Sequence, residues 1–292
     1  MTPLATIAIP TYNRARSLRR AVDSALTQVY RETEIIISDN ASTDETASLC
    51  RQYAATDGRV RYLRQDQNIG PTGNFNAVLG AARGEFFMWL ADDDWLDSNY
   101  VSSCVAVLRE DSSIVSVSGR GQLYTVPAIH QQSDLVLSLL HPSPEARLLA
   151  YYAQVTYNSL FYGLTRTELV RAAGLEKALA GDWTTVAYLA MRGKLMTTEK
   201  TNIHRMAGGA SESFGSTIRT LRLPSHHAWM PRVVIAFAAA RSSYSSAILA
   251  DRPRPMRIGL ATELFVILML RFSWMRRFIP RRFRTRFIAR YY

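Results

Sequence analysis

The sequence predicts an α/β fold in which a mostly parallel β-sheet is covered by helices on both faces. Short apolar stretches alternate with amphipathic helical stretches over residues 4–118, and the connections between them are short. This alternation favours parallel strands that are joined by helical crossovers. A length of 292 residues and a hydrophobic content of 48% are sufficient to bury both faces of such a sheet.

The predicted strands are short apolar runs bounded by polar or turn residues. They cover residues 4–10, 34–38, 60–63, 85–90 and 114–118. The run Phe86-Phe87-Met88-Trp89-Leu90 follows Gly84 and contains no charged residue. An unbroken apolar run of this kind is typical of a central strand that is buried on both faces.

Helices are predicted between these strands. They cover residues 15–29, 42 to about 55, 72–83 and 98–109. The first carries one apolar face, formed by Leu18, Val22, Ala25, Leu26 and Val29. The segment Ser42-Thr43-Asp44-Glu45 has the pattern of a capping box, so we expect Ser42 to cap the second helix.

Each of the first four strands is followed by a polar loop. These loops are residues 10–14, 38–44, 66–74 and 92–94, and the last is the triplet Asp92-Asp93-Asp94. In a parallel sheet they lie together at the carboxyl edge, where open α/β sheets bind ligands. Crowded carboxylates repel one another unless a cation relieves them, and hard divalent ions take oxygen ligands. Each loop alone is compatible with an ordinary turn, but together they favour a nucleotide site.

The order and spacing of these motifs resemble the family 2 glycosyltransferases of GT-A fold. The resemblance rests on residues 7–14, 35–46, 68–70 and 82–95, and it extends loosely to residue 215. It implies a Rossmann-like GT-A catalytic domain at residues 1–220, which moves a sugar from a nucleotide-diphosphate donor to an acceptor hydroxyl with inversion. Residues 221–292 are then expected to form a helical extension.

The resemblance also implies roles for individual residues. Nucleotide binding is implied for Pro10, Thr11, Tyr12, Asn13, Asp39, Asn68, Gly70, Asp92, Asp93 and Arg205. Of these, Asp39 is expected to bind the nucleobase and Arg205 to neutralise phosphate charge. A divalent cation, Mn²⁺ or Mg²⁺, is expected on Asp94, Asp93 and His204. The assignment within the triplet stays open because Ala91 stands where many relatives have Asp.

A second acidic site is predicted at Gly181-Asp182-Trp183, before the helical stretch 184–192. The resemblance implies that Asp182 is the catalytic base, because a sugar hydroxyl is a poor nucleophile and needs a base within hydrogen-bond reach. The alternative is that Asp182 only caps the helix. Residues 203–211 resemble a loop that closes over the diphosphate, and the alternative there is a solvated glycine-rich lid.

The net charge of +11 is concentrated near the C-terminus. Residues 271–292 contain eight arginines, interleaved with aromatic residues, and no acidic residue. This composition suits an anionic membrane surface, and it would also suit nucleic acid. The apolar stretch 258–270 favours the membrane, although a helix of about 20 Å is too short to cross a core of about 30 Å. We expect residues 257–292 to hold the protein peripherally on the cytoplasmic face of the membrane, near a glycan or lipid-linked glycan acceptor.

Two other function classes stay open. A nucleotidyltransferase that makes the nucleotide sugar would share the scaffold, but it needs a glycine-rich triphosphate loop and residues 10–16 contain no glycine. A non-enzymatic adaptor that binds membrane or nucleic acid would not need Asp39, the aspartate triplet and Asp182 together. Cys50 and Cys104 have no metal-binding spacing and favour a reduced, cytoplasmic setting. The first residues lack a basic leader, so we expect no signal peptide.

Overall fold

The computed structural model describes residues 3–125, 130–206, 213–245, 250 and 252–272. The strands are β1 Ala5–Thr11, β2 Thr33–Asp39, β3 Val60–Arg64, β4 Phe86–Trp89, β5 Trp95–Leu96, β6 Ile114–Thr125, β7 His130–Ser133, β8 Leu164–Arg166 and β9 Lys194–Met206. The helices are α1 Ala15–Leu26, α2 Thr46–Thr56, α3 Gly70–Ala81, α4 Tyr100–Glu110, α5 Pro144–Gln154, α6 Thr167–Ala173, α7 Gly181–Arg192, α8 Phe214–Thr220, α9 Pro231–Ser245 and α10 Arg254–Phe272. Short 3₁₀ helices cover Ser159–Tyr162 and Ser225–Ala228.

The strands form one sheet in the order β3-β2-β1-β4-β8-β6-β9-β5, and β7 pairs with β6. Strands β1 to β4 pair with one another in parallel, as the sequence predicts. The later strands β5, β7 and β8 are antiparallel to theirs, so the complete sheet is mixed. In β1, Ala8 pairs with Ile36 of β2 on one side and with Trp89 of β4 on the other. This register brings the carboxyl ends of the three strands close together.

Apolar side chains of the central strands alternate between two core layers. Ile7 and Ile9 pack with Leu18 and Val22 of α1 on one face of the sheet. Ala8 lies on the other face, in a cluster that includes side chains of α3, α5, α7 and α10. Because successive strand residues point to opposite faces, one continuous apolar run supplies both layers. The prediction of helices on both faces is confirmed.

The start of α2 differs from the sequence prediction. Ser42 does not cap this helix; its hydroxyl accepts a hydrogen bond from the Asn13 amide at 2.9 Å. The Thr46 amide at the helix start donates instead to Asp44 Oδ1 at 3.0 Å. The capping-box prediction is therefore wrong, because Ser42 is used to join the loop after β2 to the loop after β1.

Helix α10 corrects part of the prediction for the C-terminal region. It buries Leu260, Leu264, Ile267 and Leu268 in the same cluster that contains residues of α5 and α7. That face is covered by protein, so the stretch 258–270 does not lie in a membrane interface as a whole. Over the ranges given above, we find no helix whose length and apolar character would let it span a bilayer. The basic tail 273–292 lies outside the described residues.

Candidate active site

The acidic loop, which we define as residues 92–94, is held by hydrogen bonds from two neighbouring segments. Asp92 Oδ2 accepts from Thr11 Oγ1 at 2.7 Å. Asp93 Oδ2 accepts from Arg14 Nη1, also at 2.7 Å. Asp94 is only 3% exposed, and its Oδ1 accepts from the Met206 amide at 3.0 Å. The acidic loop therefore joins the end of β1 to the end of β9.

Burial raises the pKa of two of these carboxyls. The pKa of Asp92 rises to about 6, mainly through burial, although its hydrogen bond from Thr11 acts in the opposite direction. The pKa of Asp94 rises to about 7 for the same reason, and the nearby charge of Arg205 opposes the rise. A buried carboxylate with a raised pKa is one whose negative charge is incompletely balanced. A cation beside the loop would balance it.

The donor set of the acidic loop fits a hard divalent cation, which prefers carboxylate oxygens. In this part of the structure, the guanidinium of Arg14 lies against Asp93, and Arg205 Nε lies 3.5 Å from Asp94 Oδ2. No group of three or more His, Cys, Asp or Glu side chains suited to a metal occurs within the residues that the structure describes. The metal roles of Asp93 and Asp94 stay predictions.

His204 lies beside the acidic loop and forms a separate cluster. Its ring stacks on Trp95, with centroids 5.0 Å apart and an interplanar angle of 5°. Its Nε2 lies 2.8 Å from Asp97 Oδ1, and its Nδ1 lies 2.8 Å from the Tyr124 hydroxyl. Because both ring nitrogens have partners, His204 would have to break one of these contacts to bind a metal. Sequence reasoning singled out neither Asp97 nor Tyr124 as a partner.

Asp39, at the end of β2, is completely buried. Its Oδ1 accepts from the Ser42 amide at 2.8 Å. Its Oδ2 accepts from the Tyr62 hydroxyl at 2.9 Å and from Arg64 Nη1 at 2.7 Å. Contact with a nucleobase therefore requires Arg64, whose side chain is 42% exposed, to move aside. Arg64 was missed in the sequence, although it is the residue of β3 that pairs with Asp39.

The loop after β1 places its predicted residues in different environments. Pro10 and Thr11 are buried, whereas the Tyr12 side chain is 42% exposed at the edge of the sheet. Asn13 adopts a left-handed conformation with φ 52°, and its Oδ1 accepts from the Thr43 amide at 2.8 Å. Asparagine tolerates this conformation better than most residues. Tyr12 is thus the member of this loop with a ring available for stacking.

The loop before α3 is fixed by asparagine side chains. Asn68 Oδ1 accepts from the Gly70 amide at 2.9 Å and from Asn40 Nδ2 at 3.0 Å. Gly70 has φ 77°, a conformation that favours glycine. Asn74 was missed as a positioning residue: its Nδ2 donates to Ser38 O at 2.8 Å and to Thr11 O at 3.3 Å. It therefore ties the ends of β1 and β2 together.

Asp182 lies in the first turn of α7, and the N-cap position is occupied by Ala180. Asp182 Oδ2 accepts a hydrogen bond from Asn158 Nδ2 at 2.7 Å. Asn158 Oδ1 in turn accepts from the buried Tyr151 hydroxyl at 2.8 Å. Burial raises the pKa of Asp182, and the Asn158 hydrogen bond and the charge of Arg205 oppose that rise. Asp182 is therefore not the N-cap that the alternative interpretation required.

Arg205 connects the acidic loop to the segment that holds Asp182. Its Nη1 donates to the Tyr157 carbonyl oxygen, and its guanidinium carbon lies 4.7 Å from the centroid of the Tyr162 ring. Its Nε faces Asp94, as described above. Tyr157 directly precedes Asn158, which binds Asp182. One side chain thus links Asp94 to the segment that holds Asp182. The remainder of the predicted glycine-rich loop, residues 207–211, lies outside the described residues.

The fold has counterparts among proteins of known structure. S. aureus TarS 1-349, solved in complex with UDP-GlcNAc, superposes with a TM-score of 0.66 at 16% identity, covering 92% of this chain and 73% of that one. The mannosyltransferase PcManGT from Pyrobaculum calidifontis, solved with GDP-Man and Mn²⁺, gives a TM-score of 0.56 at 17% identity, covering 94% and 76%. At this level of identity the likeness concerns the fold, and the predicted GT-A fold is confirmed.

Sequence comparison is more specific for the N-terminal half. The GalNAc(5)-diNAcBac-PP-undecaprenol beta-1,3-glucosyltransferase of Campylobacter jejuni is 38% identical over 109 residues, which is 37% of this chain and 35% of that protein. Matches to two other curated relatives cover only 16% and 17% of their lengths. The sequence model of the family described as Glycosyl transferase family 2 matches residues 6–173, more than half of the chain. This chain belongs to glycosyl transferase family 2.

Proposed function

We propose that this protein transfers a sugar from a nucleoside-diphosphate sugar to a hydroxyl group of a glycan acceptor. The observation that carries the proposal is the position of Arg205 between the two acidic sites. Its Nε faces Asp94, and its Nη1 donates to the carbonyl oxygen of Tyr157, the residue before Asn158, which binds Asp182. Sugar transfer needs a site for an anionic leaving group beside a base. Family membership and the solved complex of TarS with UDP-GlcNAc support a nucleotide sugar as donor.

Asp182 is the proposed base of a single in-line displacement that inverts the anomeric centre. A carboxylate has about four acceptor positions, so the hydrogen bond from Asn158 leaves room to accept the proton of the incoming hydroxyl. Burial raises the pKa of Asp182, which brings its proton affinity closer to that needed at neutral pH. Asn158 keeps one oxygen occupied and thereby fixes the orientation of the carboxylate.

Asp94 and Asp93 are the proposed ligands of a divalent cation, Mn²⁺ or Mg²⁺. Such an ion neutralises negative charge that develops on a departing diphosphate. Their oxygen donors and the raised pKa of Asp94 support this assignment, as does the Mn²⁺ in the solved mannosyltransferase complex. Arg14 and Arg205 lie against the two carboxylates, which supports a role for both arginines in contacting the diphosphate once a cation also binds the carboxylates. Asp39, Tyr12, Asn68 and Gly70 are proposed to hold the nucleoside.

The proposed acceptor is a lipid-linked glycan in surface polysaccharide assembly, with the protein peripheral on the cytoplasmic face of the cell membrane. The name of the Campylobacter relative describes an undecaprenol-linked acceptor, which supports this choice. The seven arginines between residues 276 and 290 supply positive charge for an anionic membrane surface. Nucleic acid is not proposed as a partner.

Calorimetric titration of UDP and GDP, with and without Mn²⁺, tests the donor site directly. We expect binding that strengthens with Mn²⁺, and a lack of any nucleotide binding would favour the adaptor alternative. A panel of nucleotide sugars, with mass detection of released or transferred sugar, then identifies the donor. Formation of a nucleotide sugar from a nucleoside triphosphate and a sugar phosphate would favour the nucleotidyltransferase.

The Asp182→Asn variant tests the catalytic step. The substitution keeps the size of the side chain and removes its basicity, so kcat is expected to fall by about 10²- to 10⁴-fold while nucleotide binding persists. Near-normal kcat in this variant would remove Asp182 from the mechanism. A product that keeps the anomeric configuration of the donor would exclude the single displacement, and undiminished turnover in excess EDTA would exclude the metal.

A further inference from the structure

An apolar surface lies where α8, the start of α9 and the end of α10 meet. We call it the Trp229 face, and its apolar members are Phe214, Trp229, Met230, Val233, Met269 and Phe272. Trp229 is 88% exposed and Met230 is 62% exposed. Together with Pro231 and Arg232 these residues line a groove of about 420 Å³. A contiguous patch of exposed large apolar side chains marks an interaction site.

The Trp229 face is joined to the proposed base by aromatic contacts. The ring of Phe272, a member of the face, stacks with Trp183 at a centroid distance of 6.4 Å and an interplanar angle of 28°. Trp183 is the residue that follows Asp182. The guanidinium of Arg271 lies 5.4 Å from the centroid of the same Trp183 ring. A ligand in the groove would therefore be separated from the base by two stacked rings.

The stretch of sequence that carries the face is strongly basic. Residues 213–292 contain fifteen arginines and only two acidic residues, Asp251 and Glu263. Arg232 lines the groove itself and donates from Nη1 to the Phe272 carbonyl oxygen at 3.0 Å. The chain also continues from Phe272 into the tail, which carries seven of these arginines. An occupant of the groove must therefore combine an apolar part with negative charge.

We propose that the Trp229 face docks on an anionic lipid bilayer. Trp229 and Met230 enter the headgroup region, and Arg232 and other arginines of this stretch contact lipid phosphates. A protein partner would satisfy the apolar residues, but the fifteen arginines match a continuous anionic surface better than a single protein patch. This inference rests on the proposed function only in its account of the acceptor. If the acceptor is a lipid-linked glycan, docking by this face would bring that glycan towards Asp182.

The test is sedimentation of the full-length protein with vesicles of phosphatidylcholine containing phosphatidylglycerol, compared with phosphatidylcholine alone. In the Trp229→Ser/Met230→Ser double variant we expect partitioning to the anionic vesicles to weaken by at least about ten-fold. Phe237→Ser is the matched control, because Phe237 is a similarly exposed apolar residue, at 63%, that does not line the groove. The variants change exposed positions, and unchanged melting temperatures will confirm that they fold.

Three results would overturn the proposal. The first is equal partitioning of the double variant and the wild type. The second is an equal loss in Phe237→Ser, which would indicate general surface hydrophobicity. The third is cross-linking of a photoreactive residue at position 230 to the tail of the same chain when vesicles are present.

Failure of the proposed function would give a different result. In that case the wild type would not hydrolyse or transfer from any nucleotide sugar, whatever its partitioning. If the docking proposal is correct and the proposed function also holds, the double variant will keep donor hydrolysis and lose transfer to a lipid-linked acceptor.

Discussion

The hydrogen bond between Asn158 and Asp182 gives a direct prediction about catalysis. Asn158 has φ 56°, so Asn158→Gly removes the amide without straining the backbone. The variant loses the 2.7 Å bond to Asp182 Oδ2 and leaves the Tyr151 hydroxyl without its 2.8 Å acceptor. We expect a loss of catalytic efficiency from the first change and a loss of stability from the second.

The magnitudes follow from the kinds of bond involved. A hydrogen bond to a charged group contributes about 1.5–3 kcal/mol, and a buried hydroxyl left unpaired costs about 1–3 kcal/mol. Since about 1.4 kcal/mol corresponds to a factor of ten in rate, kcat/KM should fall by about 10- to 150-fold. The free energy of unfolding should fall by about 1–3 kcal/mol.

The same substitution predicts a change in pH dependence. The Asn158 amide lowers the pKa of Asp182 against the larger, raising effect of burial. Without the amide the pKa rises further, and a base works only when it is deprotonated. The acidic limb of the kcat/KM profile should therefore move to higher pH in Asn158→Gly.

The assay is initial-rate transfer over a range of pH, with unfolding measured by urea titration. Asn99→Gly is the matched control: Asn99 also makes two side-chain bonds between segments, to Lys200 O and from Thr201 Oγ1, but it lies away from Asp182. The reasoning is refuted if Asn158→Gly keeps kcat/KM within about two-fold of wild type with an unmoved acidic limb.

Four further predictions concern other parts of the chain. Gly84→Ala should lower the free energy of unfolding by about 1–3 kcal/mol in urea titrations, because the new Cβ would lie 2.7 Å from both Phe86 O and Thr6 Oγ1; an unchanged value would contradict this. Burial acts to raise the pKa of Glu34, but its hydrogen bonds outweigh burial and the net shift is downward. Its charge therefore stabilises the fold above the unfolded pKa, and this stability is lost as pH falls through the folded pKa. The free energy of unfolding of Glu34→Gln should therefore fall less steeply with acidification than that of wild type. Parallel pH curves for the two proteins would contradict this. Asp94→Asn should lose the Mn²⁺-dependent part of nucleoside-diphosphate binding in calorimetry, and full retention would remove Asp94 as a ligand. Ending the chain after residue 272 keeps α10 and should preserve nucleotide binding but reduce sedimentation with anionic vesicles; equal sedimentation would show that the tail is dispensable.

The first half of the fold was predictable because its information is local. The strands β1, β2 and β4 each contain a short apolar run, and the loops after them carry the polar residues. Parallel pairing then places those loops at one edge without further assumptions. The short strands β5 and β8, of two and three residues, carry no such pattern and are defined by their partners in the sheet.

The missed site residues depend on contacts between distant segments. Asn158 lies 24 positions before Asp182, and Arg64 lies 25 positions after Asp39. No local spacing indicates either pair. The burial of one face of the apolar stretch 258–270 was missed for another reason, since protein interiors and membrane interfaces both accept leucine and isoleucine. Composition alone could not separate the two environments.

Each of three carboxylates predicted for the donor site has an arginine partner in this structure: Asp39 with Arg64, Asp93 with Arg14, and Asp94 with Arg205. Binding of the proposed donor at this edge of the sheet would consequently be an exchange of ion pairs. A cation that bound the carboxylates would leave the arginines without a negative partner. A diphosphate that bound the arginines would leave the carboxylates without a positive partner. Only a ligand that carries both positive and negative charge pairs with the carboxylates and the arginines at the same time. We therefore expect a metal–diphosphate complex to bind better than either component alone, with the binding of each dependent on the other.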